Sequence, residues 1–172
     1  MISYKERLPK ITTLLFDVDG VLTNGEVTLS NGAVIRTLNS KDGYALQYAA
    51  KKGYQIFMIT GGNSIDVKER LEALGIQRVL LKSADKLTVY RELQTEFGFT
   101  DEQALYMGDD IPDLPVLRIV GLSACPQDAV MEVKAACHYQ SPLNGGKACV
   151  RDVVEQVMRV QGTWLNEDAY HW

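Results

Sequence analysis

Two aspartates one residue apart, Asp17 and Asp19, stand between an apolar run and a glycine in Phe16-Asp17-Val18-Asp19-Gly20-Val21-Leu22-Thr23. If the run is a buried strand, both carboxylates lie together at its carboxyl edge, with Gly20 letting the backbone turn sharply. Alone, so short a motif reads equally as a solvated acidic turn. Three further stretches change that balance. Thr60-Gly61-Gly62-Asn63-Ser64 follows a second apolar run, putting a hydroxyl and two glycines where exposed amides can meet an anion. Lys86, in Ser83-Ala84-Asp85-Lys86-Leu87, opens a helical pattern, where the macrodipole opposes a cation unless something anionic stands nearby. Gly108-Asp109-Asp110-Ile111-Pro112-Asp113 adds three carboxylates in five residues after another run. Together these oxygens suit Mg²⁺, which takes one or two carboxylates and leaves positions for water and a substrate phosphate.

Residues so far apart in sequence need a scaffold that delivers them to one edge. Apolar runs at 11–16, 54–60, 78–81, 104–107 and 120–124, with another near His138, read as buried parallel strands. Helical patterns alternate with them at 41–52, 64–74, 84–97, 114–118, 128–134 and 147–160, the first two stopped by Gly53 and Gly75. The alternation predicts an α/β fold: a doubly wound, mostly parallel, Rossmann-like sheet in a single domain spanning 1–172. Residues 24–40 break it. Asn31-Gly32 lies there between runs rich in Val, Ile, Leu and Thr and predicts a β-hairpin inserted after the first strand. A two-stranded hairpin is marginal alone, so it is expected to pack on its own domain or on another subunit. The tail, 162–172, has two tryptophans and a tyrosine but no helical repeat, and is expected to be either disordered or docked on a partner surface.

Length and composition exclude several alternatives. A chain of 172 residues makes about one domain and needs no disulfide or structural metal to stay folded. With 18 basic and 22 acidic side chains it lacks the basic footprint of a nucleic-acid binder. No apolar stretch is long enough to span a bilayer, and the start lacks the apolar segment of a secretory signal, so a cytoplasmic protein is expected. Cys125, Cys137 and Cys149 form no close pair and read as reduced structural thiols, not zinc ligands. His138 and His171 have no metal-pair spacing and are taken as non-catalytic.

The four motifs, each at a strand end and in this order, resemble those of the haloacid dehalogenase superfamily of phosphotransferases: DxDGVLT, a Thr closing the second strand, a downstream Lys and GDDxxD. More closely, DVDGVLT, the hairpin with NG, NSKDGYAL, GDDIPDLPV followed by GLS, and NGGKACVRDVV resemble the capless 3-deoxy-D-manno-octulosonate 8-phosphate phosphatases. The resemblance implies that Asp17 is the nucleophile that becomes an aspartyl-phosphate, and that Asp19 is the general acid and then the base. It implies Mg²⁺ on the carboxylates of Asp17 and Asp109 and the carbonyl of Asp19, with Thr60, Gly61 and Lys86 holding the phosphoryl oxygens. Asp110 would reach the metal through water, and Asp113 would orient Lys86. The implied substrate is an eight-carbon 3-deoxy-2-keto sugar acid bearing a terminal phosphate, in a step that feeds lipopolysaccharide synthesis. Hairpins would pair between subunits of a homotetramer so that a neighbour covers each active site, a burial that Val27, Leu29, Val34 and Ile35 suit.

The chain departs from the commoner pattern around the leaving group. Many relatives carry Thr-Gly-Arg where this chain has Thr60-Gly61-Gly62, and Gly-Gly-Arg-Gly where it has Gly145-Gly146-Lys147-Ala148. Gly62, Asn63 and Lys147 are therefore candidate substrate residues, Lys147 being a point charge where Arg would be a bidentate fork. Arg70 is a candidate for the substrate carboxylate. The alternative substrates are nine-carbon keto acids, 2-keto-3-deoxynononate 9-phosphate or N-acylneuraminate 9-phosphate. Receiver domains of signalling proteins also gather carboxylates, a Thr and a Lys, but they need a lasting acyl-phosphate, which an acid at Asp19 would turn over. An inactive structural subunit is poorly compatible with five acidic residues kept at strand ends.

Overall fold

A computed structural model describes residues 3–30 and 33–170. Strand β1 (Thr13–Phe16) is followed by a small antiparallel pair, β2 (Thr28–Ser30) and β3 (Ala33–Ile35), and by helix α1 (Ser40–Lys51). Then come β4 (Gln55–Ile59), α2 (Ile65–Glu72), β5 (Arg78–Leu80), α3 (Lys86–Phe97), β6 (Ala104–Met107), α4 (Leu114–Leu117), β7 (Leu122–Cys125), α5 (Met131–Ala136), β8 (Tyr139–Gln140) and α6 (Cys149–Val160). The six strands outside the hairpin form one parallel sheet in the order β5-β4-β1-β6-β7-β8.

Strand periodicity divides the core in two. Leu14, Phe16, Ile56, Met58, Leu105 and Met107 meet residues of α1, α2 and α6 on one face, while Leu15, Phe57, Ile59 and Tyr106 meet α3, α4 and α5 on the other. The chain winds outward from β1 through β4 to β5, then returns to the far side of β1 to lay down β6. Beyond their loops, β1 and β6 therefore lead to helices on opposite faces of the sheet, α1 and α4, which opens a crevice at the carboxyl edge. Among the described residues no helix is long and apolar enough to cross a membrane.

The α/β reading and the order of elements hold, and several boundaries move because side chains decide them. Helix α3 starts at Lys86, not 84, because the Asp85 carboxylate accepts the N–H groups of Leu87 and Thr88, each at 3.1 Å. Helix α5 starts at Met131, not 128, since Asp128 accepts from Gly145 N–H at 2.9 Å and so caps nothing locally. Helix α6 starts at Cys149, not 147, after a turn closed by Lys147 N–H on Asn144 C=O at 3.0 Å.

The hairpin pairs Leu29 with Val34, adds to no strand of the main sheet, and leaves Val27, Leu29, Val34 and Ile35 exposed, Leu29 to 77%. Its expected turn residues, Asn31 and Gly32, lie outside the described residues, as do His171 and Trp172.

The tail, described through residue 170, packs on its own chain, which corrects the expectation of disorder. Trp164 is only 9% exposed and meets the rings of Tyr44 and Tyr48 edge-on, with the Arg151 guanidinium over its own ring. A short 3₁₀ turn, Glu167–Tyr170, follows; Asp168 accepts from Tyr48 Oη at 3.1 Å and from Lys52 Nζ at 2.7 Å, and Tyr44 Oη donates to Ala169 C=O. The tail is thus the cover of α1 on its own chain. The tryptophan finds its partners one helical turn apart on α1, a long-range pairing that no local repeat announces. Trp164→Ala is expected to cost about 3 to 5 kcal/mol of unfolding free energy in urea titrations, whereas a loss below about 1 kcal/mol would mean that the tail does not dock in solution.

Candidate active site

Backbone hydrogen bonds join the first acidic turn to its neighbour. Asp17 N–H donates to Met107 C=O at 2.9 Å, and the N–H groups of Leu22 and Thr23 return to Val18 C=O at 2.9 and 3.0 Å. Gly20 lies at φ 83°, and a Cβ there would come within 2.0 Å of an Asp109 carboxylate oxygen, so the acidic loops after β1 and β6 can touch only because this residue is glycine. Gly145 N–H is held by Asp128, and Gly146 N–H donates to Val21 C=O at 2.9 Å, so the loop before α6 supports the same turn from behind.

Lys86 is the hub. Its ammonium, 5% exposed, lies 2.8 Å from Asp17 Oδ2 and 2.6 Å from Asp113 Oδ1. Asp113 is fully buried and saturated: Oδ1 also accepts from Tyr106 Oη at 2.6 Å, and Oδ2 from the N–H groups of Asp109 and Asp110 at 3.1 and 3.3 Å. Asp17 Oδ1 accepts from Val18 N–H at 2.6 Å. Burial opposes the Lys86 charge, but Asp17 and Asp113 outweigh it and hold the ammonium above the ordinary lysine range. Burial and then the charge of Asp113 push the Asp17 carboxyl up to about 6, with Lys86 opposing. Asp109 is half-buried, and desolvation followed by the charges of Asp17 and Asp113 pushes its carboxyl up to about 7.

These groups line a cleft of about 500 Å³ at the carboxyl edge, with Asp19, Thr60, Gly61, Gly62 and Asp110 in its wall. Thr60 is buried, and its Oγ1 accepts from Gly62 N–H at 3.0 Å, which leaves the hydroxyl proton free for an anion. Asp110 caps its own turn through Ile111 N–H at 2.7 Å. The structure thus gathers Asp17, Asp19, Thr60, Gly61, Lys86, Asp109, Asp110 and Asp113. It does not bring all the candidate substrate residues to the cleft. Asn63 lines an adjoining cavity of about 500 Å³, Arg70 lines a separate one of about 110 Å³ with Asn39 and Ser40, and Lys147 is exposed on the loop before α6. His138 binds Ser123 Oγ through Nδ1 at 2.7 Å, away from the cleft.

Two contributors escaped the sequence reading. Tyr106 anchors Asp113; its place in a buried strand, where a phenol must find a partner, was the available signal. Arg36, just beyond β3, folds back to Asp19 with Nε to Oδ1 at 2.6 Å and Nη2 to Oδ2 at 3.0 Å. Nothing local in the hairpin sequence specifies that return.

The donor set fits a hard divalent cation. One oxygen from each of Asp17, Asp109 and Asp113 lies within 4.8 Å of the others. Asp113 spends its oxygens on Lys86, Tyr106 and two amides, which leaves Asp17 and Asp109 as the carboxylates able to hold an ion. Both carry raised pKa values because desolvation, and after it the neighbouring carboxylates, disfavours their ionised forms, and a dication would remove that penalty.

The profile of the haloacid dehalogenase-like hydrolases matches residues 78–150. A 3-deoxy-D-manno-octulosonate 8-phosphate phosphatase of Yersinia pestis is 32% identical over 157 residues, 91% of this chain and 84% of that protein. The Escherichia coli K12 enzyme of the same name is 32% identical over 153 residues, 88% of this chain and 81% of its own length. The crystal structure of the Yersinia pestis phosphatase superposes with a TM-score of 0.91, covering 93% of this chain and 87% of that one at 32% identity. The Moraxella catarrhalis phosphatase, crystallised with a magnesium ion, a phosphate ion and a 3-deoxy-D-manno-octulosonate molecule, superposes at 0.91, covering 97% and 95% at 28% identity.

The raised carboxyls make a stability prediction. Between the ordinary aspartate value of 3.8 and about 7 the folded chain binds more protons than the unfolded one, so without metal its stability falls as pH rises through that window. At pH 8 without metal, Asp109→Asn is therefore expected to melt above the wild type, by roughly 2 °C or more. Added Mg²⁺ should raise the wild-type Tm and leave the variant unmoved; calorimetry in which Mg²⁺ shifts neither protein would count against the cation site.

Proposed function

The chain belongs to the haloacid dehalogenase-like hydrolases, in the 3-deoxy-D-manno-octulosonate 8-phosphate phosphatase family, and on that premise we propose that it hydrolyses 3-deoxy-D-manno-octulosonate 8-phosphate to the free sugar acid and phosphate with Mg²⁺. The observation that carries the reading is the Asp17–Lys86–Asp113 chain set against Asp109 at the sheet's switch point. A carboxylate is held there for attack, beside a cation able to receive phosphoryl charge.

Asp17 attacks phosphorus. Its carboxylate is oriented by Val18 N–H and by Lys86, so little rotation is needed to reach the attacking geometry. Asp17 O–P forms as the bond from phosphorus to the sugar oxygen breaks, and Asp19, with one oxygen released from its pair with Arg36 so that it can carry a proton, gives that proton to the sugar oxygen. Asp19 then takes a proton from water, whose oxygen displaces Asp17 from phosphorus and releases inorganic phosphate. Thr60, the Gly61 amide and Lys86 hold the phosphoryl oxygens throughout. Mg²⁺ would be held by the Asp17 and Asp109 carboxylates and the Asp19 carbonyl, and would supply positive charge that offsets the repulsion between the acidic cluster and the phosphate. Asp113 positions Lys86 and takes no part in bond making.

The exposed apolar hairpin supports a homotetramer in which a neighbour covers the cleft. A cytoplasmic setting is in keeping with the three free thiols. Asp17→Asn should abolish Mg²⁺-dependent phosphate release while the fold persists by circular dichroism, and substantial residual turnover would sink the nucleophile. Against a panel of octulosonate 8-phosphate, the two nine-carbon 9-phosphates and hexose phosphates, a preference of about a hundredfold in kcat/KM, roughly 2.7 kcal/mol, is expected for the eight-carbon acid. Light scattering should give a tetramer mass, and a monomer near 19.1 kDa would refute the assembly.

A further inference from the structure

We infer that Arg36 is the specificity-determining arginine of this site, carried in by the hairpin and presented to the sugar-acid part of the substrate by Asp19. The inference rests on the phosphatase reading above and names a residue that the reading does not use.

The guanidinium is gripped by one edge only. Asp19 takes the Nε–Nη2 edge with both its oxygens, at 2.6 and 3.0 Å. A guanidinium carries five N–H donors. Two are spent on Asp19, and the other three, on Nη1 and Nη2, have no hydrogen-bond partner among the described residues. The side chain is nevertheless only 11% exposed. An arginine held in a fixed plane with a free fork is pre-organised to accept a carboxylate or a pair of hydroxyls, with little rotamer freedom left to lose.

Its surroundings say which part of a substrate would meet that fork. Arg36 stands on the wall of the second cavity, about 500 Å³, beside Asn63, Ser64 and Asp66, while its partner Asp19 stands in the phosphate cleft. The Arg36–Asp19 pair is therefore the partition between the two spaces. A phosphate monoester whose phosphorus sits over Asp17 places its leaving oxygen at Asp19 and must extend the rest of its body past this partition. Val34 and Ile65 line the far side together with the amide of Asn63, the hydroxyl of Ser64 and the carboxylate of Asp66, a mixed wall that suits the carbon backbone and hydroxyls of a sugar chain and offers Arg36 as the cation facing an acid.

Gly62 makes the arrangement possible. A Cβ at 62 would lie 3.1 Å from Asp19 Oδ2, 3.3 Å from Thr60 Oγ1 and 3.4 Å from Arg36 Nη2, so a longer side chain would have to displace the pair. The site has room for one guanidinium, and it comes from residue 36 across the cleft, with glycine at the loop position facing it.

The experiment compares Arg36→Ala and Arg36→Lys with the wild type on octulosonate 8-phosphate and on p-nitrophenyl phosphate, which has a leaving group but no sugar acid. Loss of charge-assisted hydrogen bonds predicts a fall of about 10- to 100-fold in kcat/KM for the sugar acid in Arg36→Ala, carried mainly by KM. The loss on p-nitrophenyl phosphate should be at least tenfold smaller, and Arg36→Lys should recover part of the discrimination. Equal losses on both substrates would assign Arg36 to the phosphate or to the fold and overturn the inference, as would undiminished selectivity in Arg36→Ala. Failure of the wild type to hydrolyse either ester would instead bring down the phosphatase reading beneath it, an outcome the wild-type lane reports separately.

Discussion

A single ammonium buried between two buried carboxylates sets the terms for the rest of the molecule. Lys86 cannot be removed without leaving Asp17 and Asp113 as largely buried charges with no cation between them, and breaking such a pair from one side is strongly destabilising. The arrangement persists because Asp113 is satisfied on every side, by Lys86, Tyr106 and two amides of its own loop. Asp17 and Asp113 are not equivalent, however. Asp113 has no oxygen left to offer, while Asp17 keeps one edge toward the cleft. That asymmetry supports the proposed division of roles, with Asp113 positioning Lys86 and Asp17 attacking, in a cluster whose members share one chemistry.

The cluster also carries more negative charge than Lys86 can offset. Asp109 stands beside Asp17, and Gly20 is the residue whose missing side chain allows them to meet. The same feature that makes the cluster costly by itself suits it to a divalent cation: an ion would relieve the raised carboxyls of Asp17 and Asp109, and its charge would in turn favour a phosphate dianion. The sheet's contribution is to deliver these groups from elements far apart in sequence. The reversal of strand order between β1 and β6 opens the crevice, and the loop before α6 supports the first turn from behind.

Much of this was legible in the amino acids. Lys86 in the first turn of a helix is opposed by the macrodipole, and the inference that something anionic must stand near it is met by two carboxylates within 2.8 Å. Strand positions followed from apolar runs, since a parallel sheet buried on both faces leaves a nearly continuous signal. What escaped was everything decided by a single long-range side-chain bond. Asp128 reads as a helix start until it is seen to hold Gly145, and Trp164 reads as a loose aromatic until Tyr44 and Tyr48 appear beneath it. Arg36 is the sharpest case, because a charged residue at the end of a hairpin is ordinarily solvated and no local pattern distinguishes one that folds back.

That return gives the hairpin two duties. Its β2 and β3 are three residues each and join no other strand, so by themselves they are too little to be stable. One end is tied to the catalytic turn through Arg36 and Asp19, while Val27, Leu29, Val34 and Ile35 stay open to be covered by another copy of the chain. Only Ile35 separates Val34 from Arg36 along the backbone, so burial of the apolar side chains would restrain the guanidinium as well. In the proposed assembly, association and substrate selection would share one short segment: the apolar face that a neighbouring subunit would cover is continuous with the arginine that pairs with Asp19, and a chain with a disordered hairpin would lose both together.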